Sequence, residues 1–563
     1  MTLHFAHKAS IVTVGIAGLL TSSPGFAVAV APDRVSTNVS PYAAQACRAL
    51  DSPAPSRNYL NSEVEPQVAV DPTNPMHLVG AWQQDRWSDG GAHGLVAAYS
   101  TDGGGTWRVS PQPFSACYHA ANNPGPYLDY QRASDPWVSI GPGTPRDPTS
   151  GSTVYSNSIS FDQTAYPGDP NATHNAVGAA SSYDGGATWS NVQTLIADPC
   201  ISGTPTGPGF QCNNAKAALF NDKNSITADP IHPGVAYAVW DRLVSPPASP
   251  TGFQHERAFF GPTLLSKTTD FGVSWSTPRV IVGLSSLQQT IGNQIVVNRQ
   301  TGALFNFFTL FQDASNAGGH RGGSVAFVTS TDGGATWSKP AVVAAEQSVG
   351  VSDPANLNPA SNAAPAPSRT GDILPEPAIN PLTGQLYVVW QDARFNGGRN
   401  DEVAISTSND SGATWSPPEL VNVHTGQPAY DPSVYVNTEG VVGVSYFQWD
   451  TPISGNEPTR LFIRHSTRPG TSASGPGFES AALVGDPFNN LAAPVARGYC
   501  LGDSQGLVAT EKGFLPFYVK TNCADGGLNA AQPSCRAIQS VLNKTDRTPT
   551  NFNATDVYAA PGS

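Results

Sequence analysis

The chain has 563 residues, too many for one compact hydrophobic core, so it is either several domains or an array that grows by adding units. Charged residues make up only 13% against 55 Gly and 50 Pro, a composition of many short strands and turns rather than long salt-laced helices. The formal net charge of −13 argues against nucleic acid or an anionic membrane as partner.

Residues 1–29 read as an export signal, with basic His7-Lys8, an apolar run from Ile11 to Leu20 and small residues up to Ala29, near which cleavage is expected. The run is shorter than the roughly 20 apolar residues that span a bilayer. The chain is therefore expected to be secreted, and to act as a monomer with no membrane association. Seven cysteines in an exported chain suggest disulfides, with Cys200 and Cys212 as one local pair and a second pair within Cys500, Cys523 and Cys535. The triplets at Asn38, Asn171, Asn543 and Asn553 match glycan acceptors, a common pattern. Residues 30–60 are Pro/Ala/Ser-rich and expected to be a loose lead-in, leaving 61–563 as a single repeat-built domain.

From residue 65 onward a strand–turn–strand pattern recurs. Compare "EPQVAVDPTNPMHLVGAWQQDRW" (65–87), "DKNSITADPIHPGVAYAVWDRL" (222–243), "GNQIVVNRQTGALFNFFTLFQD" (292–313) and "EPAINPLTGQLYVVWQDARF" (376–395). Weaker versions start at 134, 430 and 502, giving seven starts. Downstream of five of them comes a nearly constant octapeptide: "STDGGGTW" (100–107), "SYDGGATW" (182–189), "TTDFGVSW" (268–275), "STDGGATW" (330–337) and "SNDSGATW" (408–415). Its Asp can accept turn amides, its Gly can take a positive φ and its Trp can bury a ring, which together close a hairpin. Asp102, Asp184, Asp270, Asp332 and Asp410 are therefore expected to be structural.

Each unit reads as four antiparallel strands, and such units in series predict an all-β chain folded as a β-propeller, seven blades preferred and six the alternative. The boxes resemble those of the Asp-box (bacterial neuraminidase repeat) proteins, the sialidase-like propeller superfamily, over about Glu65 to Lys520. Inserts at 108–133 and 199–221 are expected as loops over a pocket, and 355–372 as a flexible stretch. "ATDVYAA" (554–560) is expected to be a strand that closes the ring.

Strand direction assigns the faces. Successive antiparallel strands alternate, so the box turns lie on one face, while the start of each first strand and the end of each second strand lie on the other. The innermost starts carry Glu65, Asp135, Asn224, Asn293, Glu376, Asp431 and Asp503, four of them acid-Pro pairs. Their five acids, Glu65, Asp135, Glu376, Asp431 and Asp503, are the candidate catalytic groups. The ends of second strands add Asp85-Arg86, Asp241-Arg242 and Asp392-Ala393-Arg394 as candidate substrate contacts, although such pairs equally fit ties between neighbouring units.

A ring of carboxyls suits glycoside cleavage, which commonly uses one carboxyl as acid and another as base or nucleophile. The resemblance implies an exo-sialidase or a relative acting on acidic sugars, with Arg gripping the sugar carboxylate. The alternative is a propeller that binds carbohydrate or protein without catalysis. The Phe/Tyr-Arg-Ile-Pro motif of sialidases is absent, and Tyr435, Tyr446, Tyr499 and Tyr518 all stay open as nucleophile. A glycan or glycoconjugate is the expected partner. No cofactor is expected, and calcium is left open as a structural ion held by the acids.

Overall fold

The computed structural model describes residues 31–37, 39–43, 45–48, 57–166, 169–198, 218–245, 260–285, 287–312, 323–352, 367–449, 459–521 and 555–563. The expected signal, Cys200, Cys212, Cys523, Cys535 and the acceptors Asn38, Asn543 and Asn553 lie outside them. The chain is an all-β protein of four-stranded antiparallel sheets, and none of its described helices is long and apolar enough to cross a membrane.

The strand–turn–strand starts fold as read. Asn58–Asp71 pairs with Asn74–Trp87, which pairs with Ala92–Ser100, and Arg108–Pro111 completes the sheet. The same order recurs in Arg132–Pro142, Ser152–Tyr166, Asp169–Ser182 and Ser190–Asp198, joined to the first sheet by one bridge between Ala92 and Ala133. It recurs again from Ala218–Ala228, from Gln289–Val297 and from Glu376–Ile379. The sheet starting at Ala429–Val436 departs slightly, since its third strand Thr459–Arg468 pairs with both Gly477–Phe478 and Ala482–Phe488.

Second strands such as Leu304–Phe311 (LFNFFTLF) are buried along their whole length because both faces are covered by neighbouring sheets. Trp82, Trp240, Trp390 and Trp449 sit at matching points of such strands and are fully buried. Each indole N–H is satisfied close by, on Gln84, Asn221, Asp392 and Tyr430 respectively. Between consecutive sheets lie separate apolar cores, such as Val79, Leu95, Ile140 and Val154, then Tyr155, Ile196, Ile226 and Trp240. The largest core joins the last sheets to the first, with Phe447, Phe514 and Phe517 packed with Leu78 and Trp82. First strands also touch in cyclic order, and Asn58–Asp71 meets both Arg132–Pro142 and Gly506–Thr510.

All five box aspartates repeat one local set of contacts, accepting from the hydroxyl two residues before and from the amide and hydroxyl four residues after. In the fourth, Asp332 accepts from the Ser330 hydroxyl at 2.8 Å, the Thr336 amide at 2.8 Å and the Thr336 hydroxyl at 2.6 Å. Trp337 donates to the Gly334 carbonyl at 3.0 Å and packs against the core behind it. Boxes touch the first turn of the neighbouring unit, as where His77 contacts the Gly185 carbonyl at 3.0 Å, which places both on one face.

Within the stretch read as a loose lead-in, Asp33–Arg34 is a strand and Gln45–Arg48 a helix. Asp33–Arg34 forms the outer strand of the last sheet, against Thr555–Ala559, and Thr555–Ala559 pairs in turn with Gly513–Thr521. A strand from each end of the chain thus shares one sheet. Cys47 is disulfide-bonded to Cys117, 70 residues away, a closure worth about 4 kcal/mol in the chain-entropy account. Cys500 is a buried free thiol, and a pair between the other two of its group, Cys523 and Cys535, lies outside the described residues.

Gly80 marks the closing contact, since a Cβ there falls 2.3 Å from the Phe517 ring. Gly80→Ala is expected to cost about 1–3 kcal/mol in urea unfolding, the usual range for overpacking. The Thr336 hydroxyl and amide hold the Asp332 carboxyl down at about 2. Its contribution is therefore present above the ordinary carboxylate range and is lost as pH falls toward 2. Asp332→Ala should lower the melting temperature at pH 7, and the gap to wild type should narrow on acidification.

Candidate active site

At the face opposite the boxes, the first strands share an irregularity. Their register shifts between Val64 and Gln67, Ser134 and Trp137, Asp222 and Ser225, Ile291 and Gln294, and Tyr430 and Ser433. Each bulge contains a residue in the left-handed region: Glu65 (φ 56°), Asp135 (52°), Lys223 (47°), Gly292 (73°) and Asp431 (45°). Pro or Asn follows each of them, and a bulge is where a strand tolerates Pro. For a non-Gly residue the conformation is strained, and such strain gathers at functional sites.

The bulges surround a cleft enclosing about 430 Å³, open solvent included. Glu65, Asp135, Asn224, Asn293, Glu376 and Asp503 line it, so six of the residues chosen by strand parity are brought together. Asp431 is buried beside them but does not line the cleft. It accepts the Gly371 amide at 2.8 Å, and burial pushes its carboxyl well up. The equivalence of positions shifts by one in two units: Lys223 and Gly292, not Asn224 and Asn293, take the left-handed place.

Two cations dominate the electrostatics, and neither was singled out from sequence. Arg369 grips Asp503 through two prongs, Nε to Oδ1 at 2.7 Å and Nη2 to Oδ2 at 2.6 Å. Lys223 Nζ lies 2.9 Å from Asp503 and 3.4 Å from Asp135. Arg369 falls in the stretch read as flexible, yet Pro367–Arg369 is a strand paired in parallel with Tyr499–Cys500. In "DKNS" Lys223 takes the left-handed place that Asp135 takes in "SDPW", a choice over Asn224 that the sequence leaves open, and Arg369 carries no local signal. The lysine ammonium stands among the acids for which calcium was left open.

The carboxyls consequently differ. Burial pushes Glu376 up to about 8, with only a 3.0 Å hydrogen bond from Gln294 opposing it. Burial, then the charges of Asp503 and Asp135, push Glu65 up to about 8 as well. Glu65 accepts from the Gln83 amide and lies 3.5 Å from Arg86. Burial acts on Asp503 too, but Arg369 and Lys223 outweigh it and hold that carboxyl well below the usual range. Trp137 and Leu374 supply apolar walls.

The second-strand candidates lie off the cleft lining. Asp85 is buried against His93 and the Ser40 hydroxyl. Asp241 accepts from Thr290 at 2.8 Å and from the Gly292 amide at 3.0 Å, fixing the neighbouring bulge from behind. Asp392 holds Arg394, Arg242 is paired with Asp198, and Arg86 donates to Gln83 at 2.5 Å. The Arg242–Asp198 pair and the Asp241 contacts join neighbouring units, whereas Arg86–Gln83 lies within one strand and Asp392–Arg394 within one turn. None of Tyr435, Tyr446, Tyr499 and Tyr518 lines the cleft, and Tyr446 and Tyr518 are buried in apolar cores.

The structural neighbours are sialidases and trans-sialidases, at low identity. A Hadza microbial sialidase is 15% identical with a TM-score of 0.39, the match covering 69% of this chain and 64% of that one. Trypanosoma rangeli sialidase in complex with an inhibitor is 11% identical at 0.37, over 72% of this chain and 55% of that one. A Penicillium chrysogenum α-L-arabinanase complexed with arabinobiose is 11% identical at 0.37, over 90% and 97%. A Dyadobacter fermentans protein of unknown function is 14% identical at 0.39, over 73% and 95%. No family model and no curated protein matches the chain. At such scores nothing about substrate or mechanism passes from these proteins to this one.

A raised carboxyl gives a pH test. The folded chain keeps the Glu376 proton that the unfolded chain releases from about 4.5 upward, so this group's contribution declines as pH rises toward about 8. Glu376→Gln should remove part of the stability lost between pH 5 and 8, on the order of a few kcal/mol. Denaturant midpoints across that range measure it, and equal slopes for both proteins would contradict the assignment.

Proposed function

We propose that the chain is a secreted glycoside hydrolase built as a seven-bladed propeller, with its reaction in the cleft at the ring axis. The observation that carries this reading is the meeting in one cleft of Glu376, a carboxyl raised to about 8 by burial, and Asp135, whose carboxylate lies 3.4 Å from the Lys223 ammonium, with the half-buried Trp137. Acid-assisted glycoside cleavage uses a pair of carboxyls held in unlike environments. Seven blades are supported by the cyclic contact of the first strands and by the core that joins the last sheets to the first. Secretion is supported by the pattern of residues 1–29 and by the disulfide.

In this reading Glu376 is the general acid, protonated at neutral pH and aimed into the cleft. Asp135 is the base or nucleophile: counting blades around the ring, it stands nearly opposite Glu376, so a glycosidic bond laid across the axis has one carboxyl on each side. Asp503, clamped by Arg369 and Lys223, orients the ammonium that also faces Asp135. Trp137 offers a ring for the apolar face of a sugar.

The substrate is a neutral glycan rather than an acidic one. Among the described residues Lys223 is the only cation that lines the cleft, and it already serves two carboxylates, while Arg86, Arg242, Arg369 and Arg394 are engaged by Gln83, Asp198, Asp503 and Asp392. A sugar carboxylate entering the cleft meets mostly carboxyls.

A fluorogenic panel of neutral glycosides, uronides and sialosides, assayed from pH 4 to 8, tests this. Turnover is expected on a neutral member, with Glu376→Gln and Asp135→Asn each lowering kcat by about 10²–10⁴. Asp332→Ala should lose melting temperature and keep its specific activity while folded. Turnover of sialosides alone would overturn the substrate class. Glycan binding on an array with no turnover of any member would make the chain a lectin-like propeller instead.

A further inference from the structure

Away from the cleft, the described residues hold one tight group of metal-ligating side chains. The sulfurs of Cys47 and Cys117 and a ring nitrogen of His93 lie within 4.8 Å of one another, and all three residues are buried. They come from the helix Gln45–Arg48, the helix Ala116–Ala120 and the start of the strand Ala92–Ser100. The sulfurs are joined as a disulfide, which does not by itself call for an imidazole beside it. That imidazole is closely held. Its Nδ1 is 3.0 Å from Asp85 Oδ2, and Asp85 accepts in turn from the Ser40 hydroxyl at 2.7 Å and the Asn61 amide at 2.6 Å. Trp87 packs edge-on against the ring at 5.5 Å. A carboxylate hydrogen-bonded to an imidazole is how proteins orient a histidine that ligates a metal.

We propose that Cys47, His93 and Cys117 form a redox-gated site for a thiophilic divalent cation of the Zn²⁺ class, which the reduced protein binds in place of the disulfide. A dithiol reductant delivers two electrons and two protons to the S–S bond, giving two thiols while the dithiol closes to its own disulfide. Metal binding then releases the two thiol protons as both thiolates ligate. Metal–sulfur bonds of about 2.3 Å set thiolates roughly 3.8 Å apart in a tetrahedral site. The opening from a disulfide is within reach of rotation about the cysteine side-chain bonds, the Cα atoms being 4.8 Å apart. Two thiolates and an imidazole leave one position for water and select a soft or borderline ion over calcium or magnesium. Either closure pins the N-terminal strap, which also carries the outer strand Asp33–Arg34, onto the first sheet.

The full chain is reduced with dithiothreitol, freed of excess dithiol without air, and titrated with Co²⁺ followed by Zn²⁺. Reduced wild type should take up one more equivalent of Co²⁺ than the Cys47→Ser/Cys117→Ser double variant, with a thiolate-to-cobalt absorption band that Zn²⁺ removes. Oxidised wild type should show no such excess. His93→Gln should weaken the extra uptake at least tenfold while its oxidised form melts like wild type, which reports that it folds. Zinc-edge absorption of the reduced wild type reads the ligands without any variant, and should show two sulfurs and a histidine nitrogen. Equal Co²⁺ uptake by wild type and double variant, unchanged affinity in folded His93→Gln, or a zinc shell lacking either sulfur or histidine would overturn the proposal.

Discussion

The molecule depends on a constraint of its innermost strands. A strand alternates its side chains between two faces, and here both faces are covered by neighbouring sheets. A left-handed residue at a bulge carries Glu65, Asp135 and Lys223 to the cleft, whereas Glu376 reaches it from the first position of its strand and Asp503 from the segment before Gly506–Thr510. Glu65, Asp135, Lys223 and Asp431 accept a conformation costly for non-Gly residues, and the chain around them is held hard enough to keep it. Asp241 shows how: it sits at the end of a second strand, behind the cleft, and fixes the next bulge through the Gly292 amide and Thr290.

From that placement the electrostatics follow. Several acids crowded at one axis cannot all ionise, because burial and mutual repulsion both favour the neutral form. The two cations are not shared evenly. Arg369 and Lys223 converge on Asp503, and Glu65, close to the same group, is pushed up by burial and then by its neighbours' charges. Glu376 stands apart, raised by burial alone. A cleft in which Asp503 is charged while Glu65 and Glu376 keep their protons is chemically more capable than a ring of equivalent carboxyls.

The two faces also divide the labour of the acids. Box aspartates such as Asp332 are exposed, saturated with turn donors and strongly acidic, so they hold hairpins closed. Glu376 and Glu65 at the axis are buried and raised by that burial, so they are left able to exchange a proton near neutral pH. One residue type serves opposite ends of the same sheets because solvent and donors differ between those ends.

The boxes were legible in the sequence because their chemistry is local: Asp332 is satisfied entirely between Ser330 and Thr336. The alternation of turns and strands was legible too, and with it the face on which Glu65, Asp135, Glu376 and Asp503 meet, since strand parity is a counting rule. The exact left-handed residue was not, because a bulge moves the register by one and "DKNS" or "IGNQ" reads equally well either way. Nor were the partners of Asp503, which lie 134 residues away at Arg369 and 280 at Lys223, nor the pairing of Cys47 with Cys117 across 70. Hydrogen bonds within a turn are written in consecutive residues. Desolvation, charge coupling and disulfide choice depend on which distant segments the closed ring brings into contact, and that only the tertiary structure decided.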